Sequence, residues 1–145
     1  MGLGYNSRIF VPLFGGTTTG VATTSAYADN VSSVIPIGGA SKIVLYVSYT
    51  LASGETSNNI NLRVDTSYTT ALLYQLVNES VSGATSTLTQ REFTFAGTTS
   101  VATSYNLTLP LDVSDNYFRV SFRESNFTGT NYGTATLFLL IEVDR

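Results

Sequence analysis

Lys42-Ile43-Val44-Leu45-Tyr46-Val47-Ser48-Tyr49-Thr50-Leu51 is the stretch whose pattern decides the fold class. Ile43, Leu45, Val47, Tyr49 and Leu51 share one face at every second position, and Val44, Tyr46, Ser48 and Thr50 share the other. That period belongs to a pleated strand, whose successive side chains point to opposite faces. One apolar face and one mixed face predict a strand buried on one side. Ala52-Ser53-Gly54-Glu55 reads as a turn, after which Ile60, Leu62 and Val64 alternate with Asn59, Asn61 and Arg63 as a second such strand.

The same reading extends along the chain. Ala71 to Val77 is ambiguous, because Leu72/Leu76 and Leu73/Val77 also fit a helical turn; its shortness favours a strand. Thr87 to Ala96 alternates around Phe93 and Phe95 and is read as one strand. Tyr105, Leu107, Leu109 and Leu111 alternate with Asn106, Thr108 and Pro110. Pro110 has no N–H to donate, so this strand is expected at a sheet edge or to end there. Phe118, Val120 and Phe122 alternate with Tyr117, Arg119 and Ser121, and Ala135 to Val143 is apolar on both faces, as a central strand should be. Seven or eight strands with regular turn signals and no convincing helix predict an all-β, antiparallel β-sandwich of jelly-roll type.

Composition agrees with this class and excludes several functions. Charged residues are 12% of the 145, about half the usual share, and Ser and Thr make up about a quarter. A net charge of -3 with seven scattered Lys and Arg argues against a nucleic-acid partner and against a polybasic membrane surface. The N-terminus lacks the basic and long apolar regions of a signal peptide, and no stretch reaches the length of a membrane helix. The expectation is a protein that does not leave by the general secretory route.

No catalytic kit is visible. The chain has no His and no Cys, which removes the usual triads and any standard zinc site. No cofactor is expected. A carboxylate pair would have to come from Asp65, Glu79, Glu92, Asp112, Asp115 and Glu124, which fall at expected turns and strand ends, where acids are usually solvated. The densest oxygen cluster, Asp112-Val113-Ser114-Asp115-Asn116, makes Asp112, Asp115 and Asn116 calcium candidates. A self-capping turn explains the same residues. Tyr68, Tyr74, Tyr105, Tyr117 and Tyr132 are candidates for a carbohydrate platform, with cross-strand packing as the competing explanation. Sequons begin at Asn30, Asn78, Asn106 and Asn126, a number expected by chance in so Ser/Thr-rich a chain.

Residues 1–40 differ from the rest, carrying only Arg8 and Asp29 as charges, with Gly15-Gly16 and Gly38-Gly39 between short apolar patches. They read as an extended N-terminal arm before a sandwich domain at 41–145. Three readings stand: a strand of the same sandwich joined by a flexible loop, an arm that docks on a neighbouring subunit through Tyr5, Ile9, Phe10 and Phe14, or a disordered segment. The arm from Gly2 to Gly39, with the strands Lys42-Leu51, Thr87-Ala96 and Thr134-Val143, resembles the small structural proteins of tailed-phage virions: decoration or cement, head-completion and fibre-like proteins. The resemblance is one of texture over the whole chain. It implies a homo-oligomer, often a trimer, bound to a capsid or tail surface in the virion, with buried interface rather than a reaction as its function. The competing expectation is a carbohydrate-binding or adhesion module.

Overall fold

The decisive stretch forms strand β4 (Lys42–Thr50) in the computed structural model, which describes residues 6–14, 21–70, 74–75, 77–97, 103–109, 116–126 and 131–144. Ile43, Leu45, Val47 and Tyr49 are all at most 1% exposed, so the face identified from periodicity is the buried one. The other described strands are β1 (Asn6–Pro12), β2 (Val21–Ala22), β3 (Ile35–Pro36), β5 (Asn59–Ser67), β6 (Tyr74–Gln75), β7 (Val77–Ser82), β8 (Thr85–Gln90), β9 (Phe93–Ala96), β10 (Thr103–Leu109), β11 (Tyr117–Ser125) and β12 (Thr134–Asp144). A 3₁₀ turn covers Tyr27–Asp29. Nine strands have four or more residues, and β2, β3 and β6 have two each. Among the described residues no helix is long and apolar enough to cross a membrane.

Two antiparallel sheets pack face to face. Sheet A has the order β1-β12-β4-β10, with β2 also on β12; sheet B has the order β3-β11-β5, with β6 and β9 on the far side of β5. β7 and β8 form a separate hairpin. Setting aside that hairpin and the short β2 and β6 leaves eight strands. Counted along the chain, the first, eighth, third and sixth make sheet A, and the second, seventh, fourth and fifth make sheet B. This nested pairing of ends is the double Greek key of a jelly roll.

The core lies between the sheets. Sheet A contributes Ile43, Leu45, Val47 and Tyr49 beside Leu137, Leu139 and Ile141; sheet B contributes Ile60, Leu62 and Val64 beside Phe118, Val120 and Phe122. Burial of aliphatic and aromatic side chains at about 1.5–3 kcal/mol each supplies the main driving force. β12 is central in sheet A, as its two apolar faces predict, and β10 is an edge strand ending at Leu109.

Two expectations change. The boundary at residue 40 does not separate an arm from a domain among the described residues. β1 pairs with β12 along all seven of its residues, β3 pairs with β11, and Leu13 and Ile37 are core residues. This corresponds to the strand reading of that segment, and the physical reason is that β12 and β11 would otherwise lack an edge partner. Second, Thr87–Ala96 is not one strand. The chain leaves the β7–β8 hairpin at Gln90, turns at the exposed Arg91-Glu92, and joins sheet B as β9. There Phe93 and Phe95 pack against the core, a gain the hairpin does not offer them.

Candidate functional site

An antiparallel sandwich ordinarily turns polar rows to water on its outer faces. The outer face of sheet A departs from this. Its residues form rows across the strands, fixed by register. Arg8, Glu142 and Lys42 make a charged row. Next come Phe10, Leu140 and Val44, continued by Thr108. Pro12, Phe138 and Tyr46 follow, continued by Asn106, and then Thr136, Ser48 and Ser104. Two adjacent apolar rows are thus framed by charges on one side and hydroxyls on the other.

Phe10 is the most exposed member, at 57%. Its ring stacks on Tyr46 at 5.7 Å and tilts against Phe138 at 5.8 Å, so the three rings hold one another. A shallow groove of about 290 Å³ opens beside them, lined by Phe10, Tyr46, Phe138 and Tyr105 with Ser48 and Ser104. Tyr105 is fixed there by stacking on Phe95 at 4.7 Å and by donating its hydroxyl to the Ala96 carbonyl. β1 borders this face as the terminal strand of sheet A, with Ile9 50% exposed beside Phe10. This concentration of apolar side chains makes the face the candidate interaction surface.

Of the interface candidates, Ile9 and Phe10 are exposed on β1. Phe14 turns inward in a left-handed conformation (φ 53°), with its ring edge-on to Phe122 at 4.9 Å. Tyr5 lies outside the described residues, as do the calcium candidates Asp112 and Asp115. Asn116 uses its side-chain amide to bond the Tyr68 carbonyl. No group of three or more His, Cys, Asp or Glu able to hold a metal occurs among the described residues. Of the candidate tyrosines, Tyr105 is on sheet A, Tyr117 and Tyr74 are on sheet B, and Tyr68 and Tyr132 are exposed outside the strands. Asn30 is buried, so its sequon is not presented to solvent.

Three of the candidate carboxylates, Asp65, Glu92 and Glu124, are engaged by partners within the fold. Asp65 holds Arg119, and Glu92 accepts from Tyr27 and Asn61. Glu124, expected at a solvated strand end, is instead 1% exposed, because it continues the inward row Phe118, Val120, Phe122 of β11. Four donors converge on it. Tyr49 Oη and Asn58 Nδ2 each donate to Oε1 at 2.6 Å, the Gly133 N–H donates to Oε2 at 2.8 Å, and the Thr23 hydroxyl donates to Oε2 as well. A buried carboxylate is tolerated when hydrogen bonds replace its hydration. Burial, and donation to Glu124, hold the Tyr49 hydroxyl well above its ordinary range. The cluster ties β4, β11 and three loops together and is closed to substrate.

Comparison with known proteins adds no relative. No family model matches the chain, and no curated protein or solved structure matches it. The functional reading therefore rests on the strand topology and the apolar outer face.

Proposed function

We propose that this chain is a non-enzymatic virion structural protein, a capsid decoration or cement protein or a head or tail accessory protein, acting through protein–protein interfaces. The observation that carries the reading is the pair of apolar rows on the outer face of sheet A, continuous with the exposed edge strand β1. A second copy of the chain is the first occupant of that face. An edge strand with free backbone groups accepts another strand by antiparallel pairing. Phe10 would then lie at the centre of a two-fold contact, where aromatic anchors carry most of the binding energy. The jelly-roll topology, frequent in capsid proteins, supports the virion setting by analogy. Low surface charge supports it physically, since neutral polar groups are buried at lower desolvation cost than ions.

Light scattering of the native protein over a range of concentrations tests the reading. A closed oligomer is expected, and Phe10→Asp should weaken it by about 30-fold or more, the loss typical of a hot-spot aromatic. Binding to the particle would then be measured for both proteins. A monomer at every concentration that also fails to bind a capsid or tail would refute the proposal.

A second reading has one specific observation behind it. The groove combines Tyr46, Phe138 and Tyr105 with the hydroxyls of Ser48 and Ser104, a mixture suited to the apolar face and rim of a sugar ring. A monomeric protein with saturable glycan affinity, lost in Tyr46→Ser, would favour this carbohydrate-binding module.

A further inference from the structure

The outer face of sheet B is built on a different chemistry. β5 and β11 pair with Asp65 opposite Arg119, Arg63 opposite Ser121 and Asn61 opposite Arg123. The face therefore gathers Arg63, Arg119 and Arg123, three of the chain's seven basic residues, at neighbouring positions. Like charges so placed repel unless anions compensate. Arg119 is compensated, since its Nε and Nη2 donate to Asp65 Oδ2 at 3.0 and 2.8 Å. Glu92 lies 3.5 Å from Arg123 Nη2 and 4.0 Å from Arg63 Nη2. Among the described residues, two carboxylates thus serve three guanidiniums.

Arg63 and Arg123 both stack on Tyr27 and both keep a buried Nε with no hydrogen-bond partner among the described residues, and Arg63 lies the farther from Glu92. The Arg63 guanidinium carbon sits 4.1 Å from the centre of the Tyr27 ring. Stacking on Tyr27 holds the group in place without neutralising it. Beside it opens a cavity of about 250 Å³, bounded by Arg63, Arg119, Asp65 and Ser121 on its polar side and by Tyr27 and Val31 on its apolar side. That volume is just below the range of about 300–1,000 Å³ of pockets for drug-sized ligands. It suits one sugar ring or one side chain.

We propose that this cavity binds a carboxylate, held by Arg63 with Ser121 as a further donor, beside the Arg119–Asp65 pair. The planar fork of a guanidinium matches a carboxylate in shape and charge. The incoming anion balances the excess positive charge, while its carbon skeleton rests on Tyr27 and Val31. The carboxylate belongs to a sugar acid or to an acidic side chain, and the two differ in what else they place in the cavity. The site is on the sheet opposite the proposed assembly face and does not depend on that reading.

The test is titration of the isotopically labelled full chain at pH 7 and constant ionic strength with sodium glucuronate, sodium glutarate and glucose, following backbone amide shifts. Saturable shifts at Val31 and Ser121 are expected with a carboxylate probe and not with glucose. Tighter binding of glucuronate identifies a sugar acid; equal or tighter binding of glutarate identifies an acidic side chain. Arg63→Gln should lower affinity at least about tenfold, the loss expected for hydrogen bonds to a charged group. Lys42→Gln removes the same charge from the other sheet and should leave affinity unchanged. Should Arg63→Gln disturb the native spectrum, Val31→Glu, which sets a fixed carboxylate at the rim, must abolish binding of both probes. No saturable shift with either carboxylate, equal binding of glucose, or full affinity in a folded Arg63→Gln or Val31→Glu protein would overturn the proposal.

Discussion

Replacing Glu124 by Leu should destabilise the fold, although it puts an apolar residue into an apolar interior. The substitution removes the acceptor and leaves its donors behind. The Thr23 hydroxyl has an alternative, the Gly133 carbonyl at 3.3 Å. The Gly133 N–H, the Asn58 amide and the Tyr49 hydroxyl lose the partner that Glu124 supplies, and all three residues are buried. Each orphaned donor costs about 1–3 kcal/mol. The new Leu offsets roughly 1.5–3 kcal/mol. The net loss centres on about 4 kcal/mol, a large part of the roughly 5–15 kcal/mol that holds a domain together. Glu124→Gln keeps an oxygen for Gly133 and Thr23 and lets the Tyr49 and Asn58 groups reorient, so its loss should be about 1–2 kcal/mol. Urea denaturation at pH 7, followed by circular dichroism, measures both. With a slope of about 2 kcal/mol per molar, the Leu variant should unfold roughly 2 M earlier than the parent. A Leu variant as stable as the parent would show that the donors are satisfied without Glu124. Equal losses in Gln and Leu variants would show that the charge, not the acceptor count, matters.

The remaining predictions concern the same end of the sandwich. Tyr49 ionises more reluctantly in the folded protein than in the unfolded chain, so its contribution is complete below about pH 10 and declines as pH rises above that, by up to about 1.4 kcal/mol per pH unit. Tyr49→Phe should be less stable at pH 7 by about 1.5–3 kcal/mol, and the gap should narrow above pH 10; a constant gap in denaturation midpoints from pH 7 to 11 would contradict this. Gly133→Ala should cost about 1–3 kcal/mol by the same denaturation measurement, because an added Cβ runs into the Thr50 carbonyl oxygen and displaces the N–H that Glu124 accepts; an unchanged midpoint would mean the loop yields freely.

Much of the fold is legible in the order of side chains. The faces of Lys42–Leu51, the central position of Ala135–Val143 and the edge position of Thr103–Leu109 follow from which side chains alternate and which backbone donors exist. The inward row of β11 is also written there. Phe118, Val120, Phe122 and Glu124 keep one parity, and only the general rule that a carboxylate marks a solvated end points the other way. The Arg119-Ser121-Arg123 spacing likewise places two cations on one face, yet nothing local adds Arg63 or the ring of Tyr27. Nor does alternation reveal that Arg91-Glu92 is a corner, since Phe93 and Phe95 keep their period on either sheet.

Local side-chain order therefore determined most of the strands and their buried faces, and composition the lack of histidine and cysteine chemistry. Tertiary structure decided which strands pair, in what register, and with which neighbours. That is why the apolar rows through Phe10 and Phe138, the arginine-lined cavity and the four donors around Glu124 emerge only in the folded chain. The physical reason is one of range. A pleat acts between residues two apart, whereas closing a jelly roll brings Thr23, Tyr49 and Asn58 from distant parts of the chain, and Gly133 from the following loop, onto one carboxylate. Such contacts form only once burial of both sheets outweighs the chain entropy lost in bringing those segments together.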